Sequence, residues 1–385
     1  LIIVLFLGTI TTSFAQKKVL DHSDFEIWNT IKGQTISSDG NYVMYALEKG
    51  EKDNFLKIKD ENGNLIFSHE RAERGRFLSD SKFAVFTVKA WKDSITEMKR
   101  RKVKKAKMPK DTLAIYNLTT KSVVKYSDIK SYKTPNEWAS YVAYQFEPKP
   151  AKPTKKKDTL NKEKKEKKKK IKKVSSKNGY HLVLNNLNSK KLDTFKYVTN
   201  YSFAKKGKKL SFVTTGDDGD FKAGVYVYDI DKNELNAVFN SKKGKYYQVS
   251  FNEIGNKLGF VVDVDSTKAQ VRPNELYLWN EGQVNAKKML DNSTSPKGYL
   301  VSSSGRISFS KDNSKMYFGL ATPPIVKDTT LLKDEIVNVE VWSYDSPRLY
   351  TVQEIQVNSD KRKSYTAALH LNSNKVVQLA TTGYP

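Results

Sequence analysis

Ile36-Ser-Ser-Asp-Gly40-Asn-Tyr-Val43-Met-Tyr45 has a fixed metre: an apolar anchor, a polar turn four residues on, then apolar residues at plus seven and plus nine. The metre returns as Phe77 with Ala84 and Phe86, and as Phe203 with Gly207, Leu210 and Phe212. Phe251 with Gly255, Leu258 and Phe260 follows, then Phe309 with Asn313, Met316 and Phe318. A sixth copy, Trp138 to Tyr144, is degenerate at its anchor. Alternation at plus seven and plus nine is period two, the signature of a strand with one buried face. The Asp-Gly, Lys-Gly or Ile-Gly before it tolerates the backbone of a tight turn, so the phrase reads strand, turn, strand.

Between the copies lies a second hairpin phrase, clearest in Val225-Tyr-Val-Tyr-Asp-Ile-Asp-Lys-Asn-Glu-Leu-Asn-Ala-Val-Phe239. Its other turns are Glu61-Asn-Gly63, Thr119-Thr-Lys121, Asn188-Ser-Lys190, Asn280-Glu-Gly282 and Asn372-Ser-Asn374. Two hairpins make a four-stranded unit. The anchors lie 41 to 58 residues apart except across the degenerate copy, which suits a propeller blade with its period of about 40 to 50 residues. The expected fold is an all-β propeller with about six four-stranded blade units. A two-sheet sandwich is the alternative, but it would not give so regular a register. No convincing amphipathic helix separates the units, which argues against a βαβ sheet.

Cysteine is absent, which excludes disulfides, thiolate metal sites, a cysteine nucleophile and a lipid-modified cysteine anchor. The four histidines, His22, His69, His181 and His370, are scattered and read as surface or packing residues. The apolar run Leu1-Ile-Ile-Val-Leu-Phe-Leu7 precedes Ser13-Phe-Ala15, a small-x-small site, so residues 1–15 read as a partial signal peptide cut before Gln16. The run is too short to span a bilayer, which takes about 20 apolar residues.

The formal net charge of +26 invites a nucleic-acid reading, but its location argues otherwise. Residues 149–177 hold fifteen Lys against Asp158, Glu163 and Glu166, and residues 99–110 add eight basic residues with no acid. Together these stretches carry +20 of the total. They interrupt the blade rhythm and contain no interleaved aromatic on which a base could stack. Lys-rich disordered inserts at 95–110 and 147–178 are therefore expected, with contact to a polyanion or membrane surface as the weaker reading.

Two longer stretches resemble one family. Leu20-Asp-His-Ser-Asp-Phe-Glu-Ile-Trp28, followed by the phrase at Ile36, resembles the start of large secreted prolyl oligopeptidase family serine peptidases of Bacteroidetes-type bacteria. Val339-Glu-Val-Trp342-Ser-Tyr344-Asp345-Ser-Pro-Arg-Leu349-Tyr-Thr-Val-Gln353 resembles a segment of their propeller. The resemblance implies an N-terminal propeller that caps a C-terminal α/β-hydrolase domain and admits peptides rather than folded proteins to a Ser-Asp-His triad. It also implies seven or eight blades, so residues 16–385 would be an incomplete ring, with the hydrolase domain beyond residue 385. The chain contains no Gly-x-Ser-x-Gly elbow. The nearest stretch, Ser302-Ser-Ser-Gly305, lacks the first glycine and runs into a blade phrase. No catalytic, cofactor-binding or metal-binding residue is assigned, and no cofactor is expected. The blade phrase also matches TolB-like propellers, so a stand-alone periplasmic propeller that binds a protein or peptide is the alternative function. The expected partners are the hydrolase domain and peptide substrates, with no nucleic acid and no transmembrane anchor. The expected location is the periplasm or the exterior.

Other constellations have bland readings. Gly216-Asp-Asp-Gly-Asp220 offers oxygens to Ca²⁺ but lacks the closing Glu of a full loop and reads as a solvated turn. Asp263 and Asp265 share one face of a strand end. Trp28, Trp138, Trp279 and Trp342, with 21 Tyr, could form a carbohydrate platform, but strand aromatics in propellers mostly pack blade against blade.

Overall fold

A computed structural model describes residues 19–22, 24, 28–148, 172–217, 219, 221–267, 269–332, 334–337, 339 and 341–384. The signal segment expected at 1–15 and most of the Lys-rich stretch at 147–178 lie outside the described residues.

The described strands form six successive four-stranded antiparallel units. Blade 1 contains β1 (Thr30–Ile36), β2 (Tyr42–Glu48), β3 (Phe55–Asp60) and β4 (Leu65–Glu70). Blade 2 contains β5 (Ala72–Phe77), β6 (Phe83–Val88), β7 (Asp111–Asn117) and the first half of β8 (Val123–Lys133). β8 takes a positive φ at Asp128, and its second half opens blade 3 with β9 (Tyr141–Phe146), β10 (Tyr180–Asn186) and the first half of β11 (Leu192–Phe203). β11 turns likewise at Tyr197 and opens blade 4 with β12 (Lys209–Thr214), β13 (Gly224–Asp229) and β14 (Glu234–Asn240). Blade 5 contains β15 (Lys245–Phe251), β16 (Lys257–Asp263), β17 (Asn274–Asn280) and β18 (Lys287–Leu290). Blade 6 splits its first strand into β19 (Leu300–Val301) and β20 (Ser308–Phe309), followed by β21 (Lys315–Ala321), β22 (Tyr365–His370) and β23 (Lys375–Gln378). This is an all-β, propeller-type architecture.

The metre of the sequence has a physical cause. Each anchor is the cross-strand partner of its plus-seven residue: Ile36 with Val43, Phe77 with Ala84, Phe203 with Leu210, Phe251 with Leu258 and Phe309 with Met316. In blade 3 the turn is longer. Lys133 pairs with Ala143, and Trp138 sits in the turn with its ring edge-on to Phe203 at 5.2 Å. The missing anchor is thus replaced by an aromatic from the loop.

Hydrophobic clusters lie between neighbouring sheets: Met44, Ile58 and Phe86 between blades 1 and 2, and Val85, Leu113 and Tyr144 between blades 2 and 3. Of the aromatics singled out in the sequence, Trp138, Trp279, Tyr226 and Tyr228 are buried as expected of packing residues, whereas Trp28 and Trp342 are exposed. Phe212 stacks on Tyr226 and Phe260 on Tyr277, at 5.4 and 5.7 Å. Trp138 and Trp279 are buried, and their indole nitrogens donate to Ala204 O and Gln283 O.

Antiparallel order sends the two kinds of loop to opposite ends of the blades. The tight turns after each first strand share one face, and the loops between second and third strands share the other. Every long insertion belongs to the second set: 89–110, 147–179, 264–273 and 322–364. The stretch at 95–110, expected to be disordered, is partly helical. Helix α1 (Lys92–Arg100) forms there, followed by a 3₁₀ turn, with no buried residue in either. Lys, Arg, Glu and Met are good helix formers, Asp93 lies in the first turn, and Lys99 and Arg100 lie in the last, where the helix dipole favours each charge. A second exposed helix, α2 (Tyr350–Asp360), ends the long insertion of blade 6.

Candidate functional site

The first strand of each blade departs from regular pairing. Register shifts interrupt it between Lys32 and Thr35, Glu73 and Arg76, Ile129 and Ser131, Val198 and Asn200, and Tyr247 and Ser250. In blades 1, 2 and 5 a residue three before the anchor (Gly33, Arg74, Gln248) takes a positive φ of 59°, 55° and 54°. A β-bulge re-aims side chains and sharpens the local twist. The sequence metre gives no hint of this, because the bulge sits upstream of the anchor and only one of the three residues is glycine.

Between blades 2 and 3 the bulged strands open into a cleft of about 580 Å³, lined by residues that include Arg74, Arg76, Thr87, Lys130, Tyr132, Lys133 and Asn136. Arg76 donates from Nη2 to Asn136 Oδ1 at 2.7 Å. Lys133 Nζ donates to Tyr201 O at 2.6 Å and lies 5.1 Å from the centre of the Tyr201 ring. Desolvation of its ammonium holds Lys133 below the usual lysine value. Burial pushes the Tyr201 hydroxyl up to about 12 and raises Tyr132 as well. Tyr201 Oη is 3.0 Å from Ser131 Oγ, and Tyr132 Oη donates to Arg74 O at 3.3 Å. The wall is therefore cationic and rich in donors, over an aromatic floor. Asp111 in the wall lies 2.7 Å from Lys89, and beside the cleft Glu73 lies 3.4 Å from Lys89 and 3.5 Å from Arg74, and Glu147 lies 3.4 Å from Lys130. Composition and motif reading missed this site, since its residues come from separate repeats and make no pattern in sequence.

The motifs singled out in the sequence have structural roles. Ser302 is buried, and its Oγ accepts from the backbone of Ser304 and Gly305. Gly305 packs so tightly on Gly319 that a Cβ would lie 2.3 Å from the Gly319 Cα. Asp263 is buried against Arg272, whose Nε and Nη2 approach its carboxylate at 2.8 Å, and Arg272 also reaches Asp265 at 3.2 Å. In the stretch 216–220, Asp218 and Asp220 lie outside the described residues, while Asp217 accepts from the backbone of Gly219 and Phe221 and pairs with Lys196, which together lower its pKa. Among the described residues no group of three or more acidic or histidine side chains is placed to hold a metal ion. Burial lowers the pKa of His69 and His181, the neutral-imidazole behaviour of packed histidines. In the stretch resembling the peptidase propellers, Arg348 pairs with Asp360 across α2 at 2.9 Å, Gln353 donates to Arg348 O, and exposed Trp342 stacks on Tyr350 at 4.6 Å. No helix of the described residues is long and apolar enough to cross a membrane.

No family model matches the chain, and no curated protein matches it. Several solved structures are similar to it at low identity. Acylaminoacyl peptidase of Pyrococcus horikoshii aligns at 14% identity and a TM-score of 0.37 over 78% of this chain and 44% of that one. The β-propeller domain of the trilobed protease from Pyrococcus furiosus aligns at 14% identity and a TM-score of 0.38 over 76% of this chain and 78% of that domain. An oligogalacturonate lyase from Vibrio parahaemolyticus aligns at 10% identity and a TM-score of 0.38 over 91% and 79% of the two chains. The chain spans less than half the length of the acylaminoacyl peptidase it matches.

Proposed function

We propose that this chain is the substrate-gating and scaffolding propeller of an exported serine peptidase, working with an α/β-hydrolase domain encoded beyond residue 385. The observation that carries this reading is the cleft on the bulged first strands of blades 2 and 3, open and dense in hydrogen-bonding groups. An extended peptide presents unpaired amides and carbonyls, which such a wall can satisfy and which a folded protein conceals. The stretches around Leu20 and Val339 that resemble the secreted peptidases support the same assignment. Export through a signal at 1–15 belongs to this reading. So does a ring of seven or eight blades: Ile31, Ile36 and Val43 lie on one exposed face of blade 1, opposite its buried face of Met44 and Ile58, and offer a further unit an apolar surface.

The test is to express the reading frame as it continues past Pro385. A serine-directed fluorophosphonate should label the longer protein, and that protein should hydrolyse peptides, while residues 16–385 alone are neither labelled nor active. A frame that ends within one blade would favour the partner-binding propeller instead.

A further inference from the structure

We propose that the cleft between blades 2 and 3 is a carboxylate-binding subsite, which takes the C-terminal carboxylate or an Asp or Glu side chain of a peptide. Two cations in it have no acidic partner among the described residues. Arg76 is held through Nη2 by the neutral Asn136 side chain, and the rest of its donor fork is available for a planar bidentate acceptor. Lys133 is held by a backbone carbonyl and an aromatic ring. Both anchors fix the cation in place without neutralising it. The three neighbouring acids are matched by three other cations, Arg74 and Lys89 beside Glu73, Lys89 beside Asp111 and Lys130 beside Glu147, so the local excess of charge belongs to Arg76 and Lys133. A carboxylate entering here would give the Lys133 ammonium a counter-charge in addition to its neutral carbonyl and ring partners. The bulge matters because it places Arg74 and Arg76 on a strand whose regular pairing is broken between Glu73 and Arg76. The carboxylate assignment needs only the cleft; a peptide as its source rests on the gating function proposed above.

The experiment titrates the purified chain with three dansylated tetra-alanine peptides, followed by fluorescence anisotropy. One ends in a free carboxylate, one in an amide, and one in an amide with a single internal Glu. Both acid-bearing peptides should bind about tenfold or more tightly than the neutral amide, the scale of one charge-assisted contact. A preference for the free terminus over internal Glu, or the reverse, identifies the source. Arg76→Gln and Lys133→Met should each erase the difference, and Arg76→Lys should keep part of it. Lys99→Gln on α1 should leave it intact. Thermal melts of each variant separate lost binding from lost folding, and Arg76 is exposed enough for its variants to fold. Equal binding of acid and amide, or an advantage that survives Arg76→Gln in a folded protein, overturns the proposal. So does displacement by inorganic phosphate at concentrations below those of acetate. Such a failure would leave the gating function standing if the longer protein is an active peptidase, and an inert longer protein would leave the subsite standing if the titration discriminates.

Discussion

The two faces of this propeller are built on different principles. On the face of tight turns, every pair of adjacent blades is joined by a bond between turns. Asp39 N donates to Ser81 Oγ between blades 1 and 2, and Ser140 Oγ donates to Asp80 between blades 2 and 3. Glu137 N donates to Lys205 O between blades 3 and 4, Lys206 N to Glu253 O between blades 4 and 5, and Asn252 Nδ2 to Asn313 between blades 5 and 6. Lys205 bridges Glu137 and Glu253 at 2.9 Å each. On the opposite face the insertions carry exposed apolar side chains, among them Ile325, Val341, Trp342 and Tyr344. Two of its insertions are joined by the reciprocal hydrogen bonds of Gln270 with Lys327. Repeats are held together where their turns are short enough to meet. Where the loops are long, the chain is free to acquire other chemistry.

Tryptophan substitutions break this comparison most sharply. Trp138→Ala on the turn face removes a buried indole, its bond to Ala204 O and its contact with Phe203, and should cost about 3–5 kcal/mol in urea unfolding. Trp342→Ala on the insert face, 71% exposed and stacked on Tyr350, should cost no more than about 1 kcal/mol. Equal losses would mean that the insert face is packed as the turn face is.

A glycine tests the same belt at smaller scale. A Cβ at Gly207 would stand 2.1 Å from Ile254 O in the turn of the next blade. Gly207→Ala should therefore destabilise by about 1–3 kcal/mol through forced separation of blades 4 and 5. A neutral substitution would show that the turns yield freely.

On the insert face, replacing residues 149–177 with a Gly-Ser turn should move the melting temperature by only a few degrees, the shift expected from about 1 kcal/mol in a large domain. Trypsin should cut first within this stretch. Unfolding on deletion would make the stretch a structural element.

The smallest effect is electrostatic. Lys205 and Lys206 hold the Glu253 carboxylate down to about 2, below its ordinary 4.5. A depressed carboxylate contributes stability that is present above its unfolded pKa and is lost as pH falls through the folded value. The contribution should fade between about pH 4.5 and 2, and since the group is exposed it should be small and weaken with salt. Glu253→Gln should flatten the acid limb of the melting-temperature profile only in that window. A change confined to neutral pH would point to another cause.

The fold was legible because the anchor and its plus-seven residue are partners across a turn, so pairing in space becomes spacing in sequence. Trp138 was legible as a degenerate copy but not as a replacement anchor, because its substitution for the missing Phe depends on a longer turn. Helix α1 was hidden by a lysine count that suits disorder and an exposed helix equally. The cleft of Arg76 and Lys133 was not legible, since it depends on bulges that bring two repeats together and that leave no compositional mark. Arg272 was missed beside Asp263 for a related reason: the loop that returns it to the strand end has no pattern of its own.

Amide hydrogen exchange read by mass spectrometry tests the division between the two faces most directly. Slow exchange is expected for the turn amides of Ser81, Glu137, Lys206 and Asn252 and their flanking strands, and fast exchange for residues 322–332 and 341–349. Protection of those insert segments equal to that of the turns would contradict the account and make the insert face part of the frame that holds the blades.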